Sequence, residues 1–363
     1  MQYDFTSILD RRGKDAIALD ALGAGNGFAP DAPKEGFDAI PMWVADMNFP
    51  TVPTIPAAII ARAQHPAYGY FSATDAYYDA IIRWHTYIGF THCITDNGYR
   101  IVHSPLVKDE QGVWRMDYAD MDRKLKEHHI HVAVFCSPHN PCGRVWERWE
   151  LERAMEVYRA NDCIVISDEI WSDLILAEYK HIPTQMVSED ARQRTVALYA
   201  PSKTFNLAGL VGSYHIIYNK ALRDRVLAKS AKPHYNEMNV LSMHALIGAY
   251  QPEGYEWLDQ LRQVLTGNVE FACDYIARHF PGVEVSKPQG TYMLFLDCTK
   301  WCEAHGKTID QLEKAGWNVG VAWQDGRMFH GPCAIRMNLA LPLSRVQEAF
   351  DRLDKYVFNG AWV

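Results

Sequence analysis

A lysine, an aspartate and an asparagine each stand in a turn-rich segment just behind a short apolar run. Lys203 lies in Ala-Pro-Ser-Lys-Thr-Phe-Asn-Leu, after residues 195–199 (TVALY). An amine at a strand end, desolvated by Phe205 and Leu207, would have a depressed pKa and could attack a carbonyl to form a Schiff base. Its plainer reading is a surface lysine in a polar loop. Asp168 follows 163–166 (CIVI). A carboxylate held there could pair with the protonated nitrogen of a heterocycle, the pairing that makes such a ring an electron sink, or it could simply cap a helix. Asn140 stands between Pro138 and Pro141 in SPHNPCGR. Its backbone is restricted and its amide can donate to a ligand oxygen, or it can close an Asx turn.

The elements that must position these residues are legible in the apolar spacing. Residues 54–64 read as a helix with Pro56 in its first turn, and 75–85 as another, apolar at intervals of three and four. Short β-rich runs follow at 132–136, 163–166, 195–199 and 213–218, with a helix at 146–161 carrying Glu/Arg pairs on its outer face. Helices at 239–250 and 257–280 lead to a strand near 291–296, a helix near 308–315, a strand at 334–338 and a closing helix at 343–356. Apolar runs alternating with helices predict an α/β fold, a three-layer α/β/α mostly parallel sheet, with a smaller α+β domain. The expected division is 1–45 as an arm and part of the small domain, 46–250 as the large domain and 251–363 as the small C-terminal domain. Polar clusters close three successive strands at their carboxyl ends, the edge where open α/β sheets bind ligands.

Composition narrows the function classes. The 363 residues carry 36 basic and 44 acidic side chains, a net charge of −8, so no basic field points to nucleic acid or to an anionic membrane. No apolar run approaches the roughly 18 residues that span a bilayer, and 1–15 lacks the pattern of a signal peptide. The eight cysteines contain no C-x-x-C pair. With no export signal they point to a reducing cytoplasm, and Cys298 and Cys302 read as a helix face, not a metal site. His128, His129 and His131 read as a solvated loop, and His85, next to Trp84, as packing. LGAGNG (22–27) lacks the preceding strand and following helix that a dinucleotide-binding turn needs.

Six stretches, WVADMNF (43–49), YGYF (68–71), CSPHNPCGRVW (136–146), ISDEIWSDL (166–174), APSKTFNLAGL (200–210) and AIRMNLA (334–340), carry a further reading. In these the sequence resembles the fold-type I pyridoxal-phosphate (PLP) enzymes of the aminotransferase class I/II superfamily, and most of all the MalY/PatB branch of cystathionine β-lyase-like C–S lyases. The resemblance implies a PLP transferase-like large domain in which Lys203 carries the cofactor and shuttles the substrate α-proton. Asp168 would pair with the pyridine nitrogen, Asn140 would donate to the 3′-oxygen, Tyr87 would stack on the ring and Ser202 would touch the phosphate. Arg336 would clamp the substrate α-carboxylate with two parallel hydrogen bonds; its plainer reading is a salt bridge on a strand. Tyr70 would reach from one subunit into its partner's site, implying a homodimer; otherwise it packs in the core beside Tyr68 and Phe71.

The implied activity is β-elimination from cystathionine or a cysteine S-conjugate, giving thiol, pyruvate and ammonia. The alternatives are an aminotransferase on the same fold, or an impaired, shortened relative that binds or regulates a partner. Val211, eight positions after the lysine, and Trp171, three after the aspartate, stand where many relatives have arginine and tyrosine, and both favour elimination over transamination. The 70-residue step from Tyr70 to Asn140 is shorter than the family pattern: Trp84-His85 runs directly into 86–90 (TYIGF), without the glycine turn and helix whose N-terminal amides bind the cofactor phosphate.

Overall fold

A computed structural model of the chain describes residues 1–25, 27–83, 100–176, 178–210, 212–230, 238–360 and 362. They form two compact units. One comprises Met1, Thr51–His139 and Arg144–Leu258, the other Gln2–Pro50, Asn140–Gly143 and Asp259–Val363. The divisions at 50/51 and 258/259 lie a few residues past the expected 45/46 and 250/251, and Asn140–Gly143 groups with the second unit.

In the first unit, α1 (Thr54–Ala63) precedes β1 (Val132–Cys136), α2 (Arg148–Ala160), β2 (Ile164–Asp168), β3 (Thr195–Tyr199), β4 (Tyr214–Ile216) and α3 (Val240–Ala249). The sheet order is β1-β2-β3-β4. β1, β2 and β3 are parallel and β4 is antiparallel to β3, which is the mostly parallel α/β arrangement expected. β-Branched Ile164, Val165 and Ile166 suit a pleated strand covered on its faces. α2 covers the sheet with Leu151, Ala154, Met155 and Tyr158, spaced three and four apart, which pack with Phe135, Trp146 and Val165. A capping box between Glu147 and Glu150 starts this helix, so it begins at Arg148 and leaves Trp146 to the core. Glu150 is fully buried and paired with Arg144 and Arg115. α1 and α3 touch closely because residue 248 is glycine: a Cβ there would lie 2.5 Å from the Thr54 carbonyl oxygen.

The second unit holds most of α4 (Pro252–His279), then β5 (Met293–Asp297), β6 (Gln324–Asp325), β7 (Ala334–Asn338) and α5 (Leu343–Leu353). α4 starts five residues before the expected 257 because Pro252 is suited to a first helical position. The sheet order is β6-β7-β5 followed by Glu284–Val285, all antiparallel. Both chain ends contribute: Ile40–Pro41 runs parallel to Val321–Ala322. α5 turns Val346, Ala349, Phe350 and Leu353 inward and ends at Leu353, where a π turn (Asp354–Phe358) replaces the last turn expected of it. Cys298 stands directly before the helix Thr299–His305 that contains Cys302, and both are buried. No helix among the described residues is long and apolar enough to cross a membrane.

Candidate active site

In the first unit, three strand ends meet at one sheet edge. Cys136 is opposite Asp168, and Asp168 is opposite Leu198. The ladder continues past the strands, since Ser137 N donates to Asp168 O at 2.9 Å and Glu169 N to Leu198 O at 3.2 Å. Asp168 is therefore the last residue of β2, two residues further along the strand than the expected end at Ile166. It is half-buried. Its Oδ1 accepts from Ile170 N at 3.2 Å, and a turn follows it, not a helix, so the helix-cap reading does not hold.

Lys203 sits in the tight segment after β3. Phe205 N donates to Pro201 O at 2.9 Å and Leu207 N to Ser202 O at 3.0 Å. Thr204 Oγ1 donates to Asp173 Oδ2 at 2.8 Å and Thr51 Oγ1 to Phe205 O at 2.9 Å. Asn206 takes φ +58°, which lets the chain fold back on itself. Phe205 is fully buried and stacks on Trp257 at 5.5 Å. Lys203 is half-buried between the buried Ser202 and Thr204, not on an open surface. The Ser202 hydroxyl is buried and finds no hydrogen-bond partner among the described residues, and the same is true of Ser137. Buried hydroxyls are almost always satisfied, so these two mark places for a polar ligand or water.

Beside Asp168, sequence reasoning missed Glu169. It is fully buried, and four donors converge on its carboxylate. Ser167 Oγ and Thr184 N reach Oε1, both at 3.0 Å; His181 Nε2 reaches Oε2 at 2.9 Å and Tyr199 OH at 3.1 Å. This binds the ends of β2 and β3 to the 181–184 segment. Its only signal in the sequence is a second acid directly after Asp168. Replacing Glu169 with Ala strands these donors in a dry site, and a loss of roughly 3–5 kcal/mol in urea unfolding is expected. An unchanged midpoint would show that the cluster is not a structural tie. His139, inside SPHNP, was also missed. It packs edge-on against Trp146 at 6.0 Å, and burial pushes its imidazole down to about 4, so it is neutral at physiological pH.

The second unit holds Arg336, central in β7 and buried. Its Nη1 donates to Asn140 Oδ1 at 3.3 Å and its Nη2 to Trp43 O at 3.1 Å and to Gln324 Oε1. The Phe329 ring lies over the guanidinium at 4.3 Å. Its Nε is buried without a partner among the described residues. All these neighbours are uncharged, so the salt-bridge reading fails. Burial pushes the guanidinium down to about 10, leaving it charged near neutral pH. A buried cation with only neutral partners and an idle donor is built for an anion. Donation from Arg336 fixes the Asn140 amide, turning its oxygen to the arginine and leaving Nδ2 for another acceptor. Gly143 fastens this segment: Gln289 N and Gly290 N donate to its carbonyl at 2.8 and 3.0 Å. With φ +68° and Pro288 Cβ 2.3 Å from where its own Cβ would be, only glycine fits.

Tyr70 is fully exposed, with Tyr68 and Phe71 also exposed, which overturns the core-packing alternative. His128, His129 and His131 are exposed. Tyr87, His85 and the interval beginning at Thr86 lie outside the described residues.

The order of the strands, the lysine turn and the buried arginine define an aminotransferase-type fold. Residues 76–353 match the family model described as aminotransferase class I and II, and the chain belongs to that family. It is similar to cystathionine beta-lyase PatB of Bacillus subtilis, 28% identical with 87% of this chain and 92% of the relative covered. It is also similar to protein MalY of Escherichia coli, 29% identical with 95% and 96% covered. The crystal structure of the PLP-bound C–S lyase from Staphylococcus hominis superposes with a TM-score of 0.84 at 26% identity, covering 98% of each chain.

Proposed function

We propose that this protein is a PLP-dependent carbon–sulfur β-lyase that splits cystathionine or a related cysteine S-conjugate into thiol, pyruvate and ammonia. The observation that carries the reading is the sheet edge where Asp168, the Lys203 turn and the Ser202 hydroxyl, which has no partner among the described residues, come together at neighbouring strands, in a chain similar to PatB and MalY. The donor set fits PLP. Lys203 offers an amine for its aldehyde, Asp168 a carboxylate for its ring nitrogen and Ser202 an idle hydroxyl for its phosphate. Bound there, PLP would supply the electron sink for the pair released from the substrate Cα–H bond.

The protein's own groups do the rest. Lys203 Nζ would remove the proton from the substrate α-carbon, acting as a base held at the strand end by its turn. Asp168 would pair with the ring nitrogen, Asn140 Nδ2 would donate to the 3′-oxygen, and Arg336 would hold the α-carboxylate so that the α-C–H bond keeps one orientation. Tyr87 would stack on the ring. Tyr70, exposed on one copy, would serve the site of a second, so the working form is a homodimer in the cytoplasm.

Purified protein given PLP and L-cystathionine should release pyruvate and free thiol in equal amounts. Conversion of an added keto acid to its amino acid, without thiol, would make it an aminotransferase. Absence of both products and of any visible cofactor band would leave the shortened, partner-binding reading.

A further inference from the structure

Building on the carboxylate clamp proposed above, we infer that Gln324 sets how tightly Arg336 takes a substrate carboxylate, acting as a built-in competitor that must step aside. β6 and β7 pair antiparallel with Gln324 directly opposite Arg336. Gln324 Nε2 donates to Met328 Sδ at 3.2 Å, which turns the amide so that its oxygen faces the guanidinium and accepts from Nη2.

Nη2 has two hydrogens, and both are engaged, one by Gln324 Oε1 and one by Trp43 O. Nη1 is engaged by Asn140, while Nε is idle among the described residues. A carboxylate gripped by two parallel bonds along Nε and Nη2, or along Nη1 and Nη2, needs a hydrogen of Nη2. The Trp43 carbonyl is main chain, with Trp43 itself fully buried, and cannot swing away. Gln324 is a half-buried side chain with rotamer freedom, so it is the acceptor that yields. The arginine keeps its place without it, since Asn140, Trp43 O and the Phe329 face still hold the guanidinium. Removing the competitor therefore removes part of what the incoming carboxylate has to displace, and affinity rises.

The test compares two amines that differ only by the carboxylate, L-alanine and ethylamine, titrated against the visible band of the PLP-loaded protein. Their affinity ratio isolates the carboxylate. Gln324→Leu should raise that ratio about tenfold, the lower end of the worth of a hydrogen bond to a charged group, with ethylamine affinity unchanged. Gln324→Glu should bring the ratio close to one, because a permanent carboxylate then neutralises Arg336. A ratio that stays the same or falls in Gln324→Leu overturns the inference. Arg336→Lys is the control for the reading beneath it. If that variant keeps the wild-type ratio, the clamp itself is wrong, whatever Gln324 does.

Discussion

Lys203→Ala should abolish lyase turnover by roughly 10^4-fold, the upper range for loss of a positioned acid–base group that also forms a covalent bond. It should also remove the adduct that borohydride traps on the peptide containing residue 203. The fold should survive. The segment around Lys203 is held by main-chain bonds from Phe205 and Leu207, the Thr204–Asp173 bond and the stacking of Phe205 on Trp257, and none of these uses the lysine side chain. Thermal unfolding of the apoprotein should thus stay within a few degrees of wild type. Substantial turnover in Lys203→Ala, or a trapped adduct on another lysine, would remove Lys203 from the chemistry.

Arg336→Lys should lower kcat/KM by about 10^2–10^3-fold while preserving charge, because an ammonium lacks the planar fork that grips a carboxylate at two points. The loss should be largest for amino-acid substrates and small for amines without a carboxylate. The substitution also surrenders the bonds to Asn140 and Trp43 O and the contact with Phe329. Unfolding measured alongside will show how much of the effect is structural. An equal loss for amines with and without the carboxylate would mean that Arg336 supports the fold and does not bind substrate.

The core of the fold was legible because its strands are short, β-branched and bounded by turn residues. β1, β3 and β7 begin and end where the apolar runs do. The ends of β2, α2 and α4 were misplaced where side-chain detail overrode periodicity, as when the Glu147–Glu150 capping box shortened α2 at its start. Lys203, Asp168 and Asn140 stood out because their motifs fall at strand ends, whereas Arg336 was named only by the resemblance. Glu169 did not stand out: its importance comes from His181, Thr184 and Tyr199, which lie 12 to 30 residues away. Gln324 and Phe329 were equally silent, because only the β6–β7 register and the following turn carry them to Arg336.

The pairing of Ile40–Pro41 with Val321–Ala322 has a consequence for synthesis on the ribosome. At 5–20 residues per second, roughly 15–60 s separate the emergence of the two partners. The first unit has all of its sequence in hand before then, while Gln2–Pro50 must wait for its partner strand with apolar residues such as Trp43 and Met47 exposed to solvent. The Arg336 cluster is completed last, because Arg336 meets Trp43 and Asn140 only when the C-terminal segment arrives. Nascent chains stalled before residue 320 should therefore bind chaperones through their N-terminal segment, and release from the ribosome should coincide with its protection.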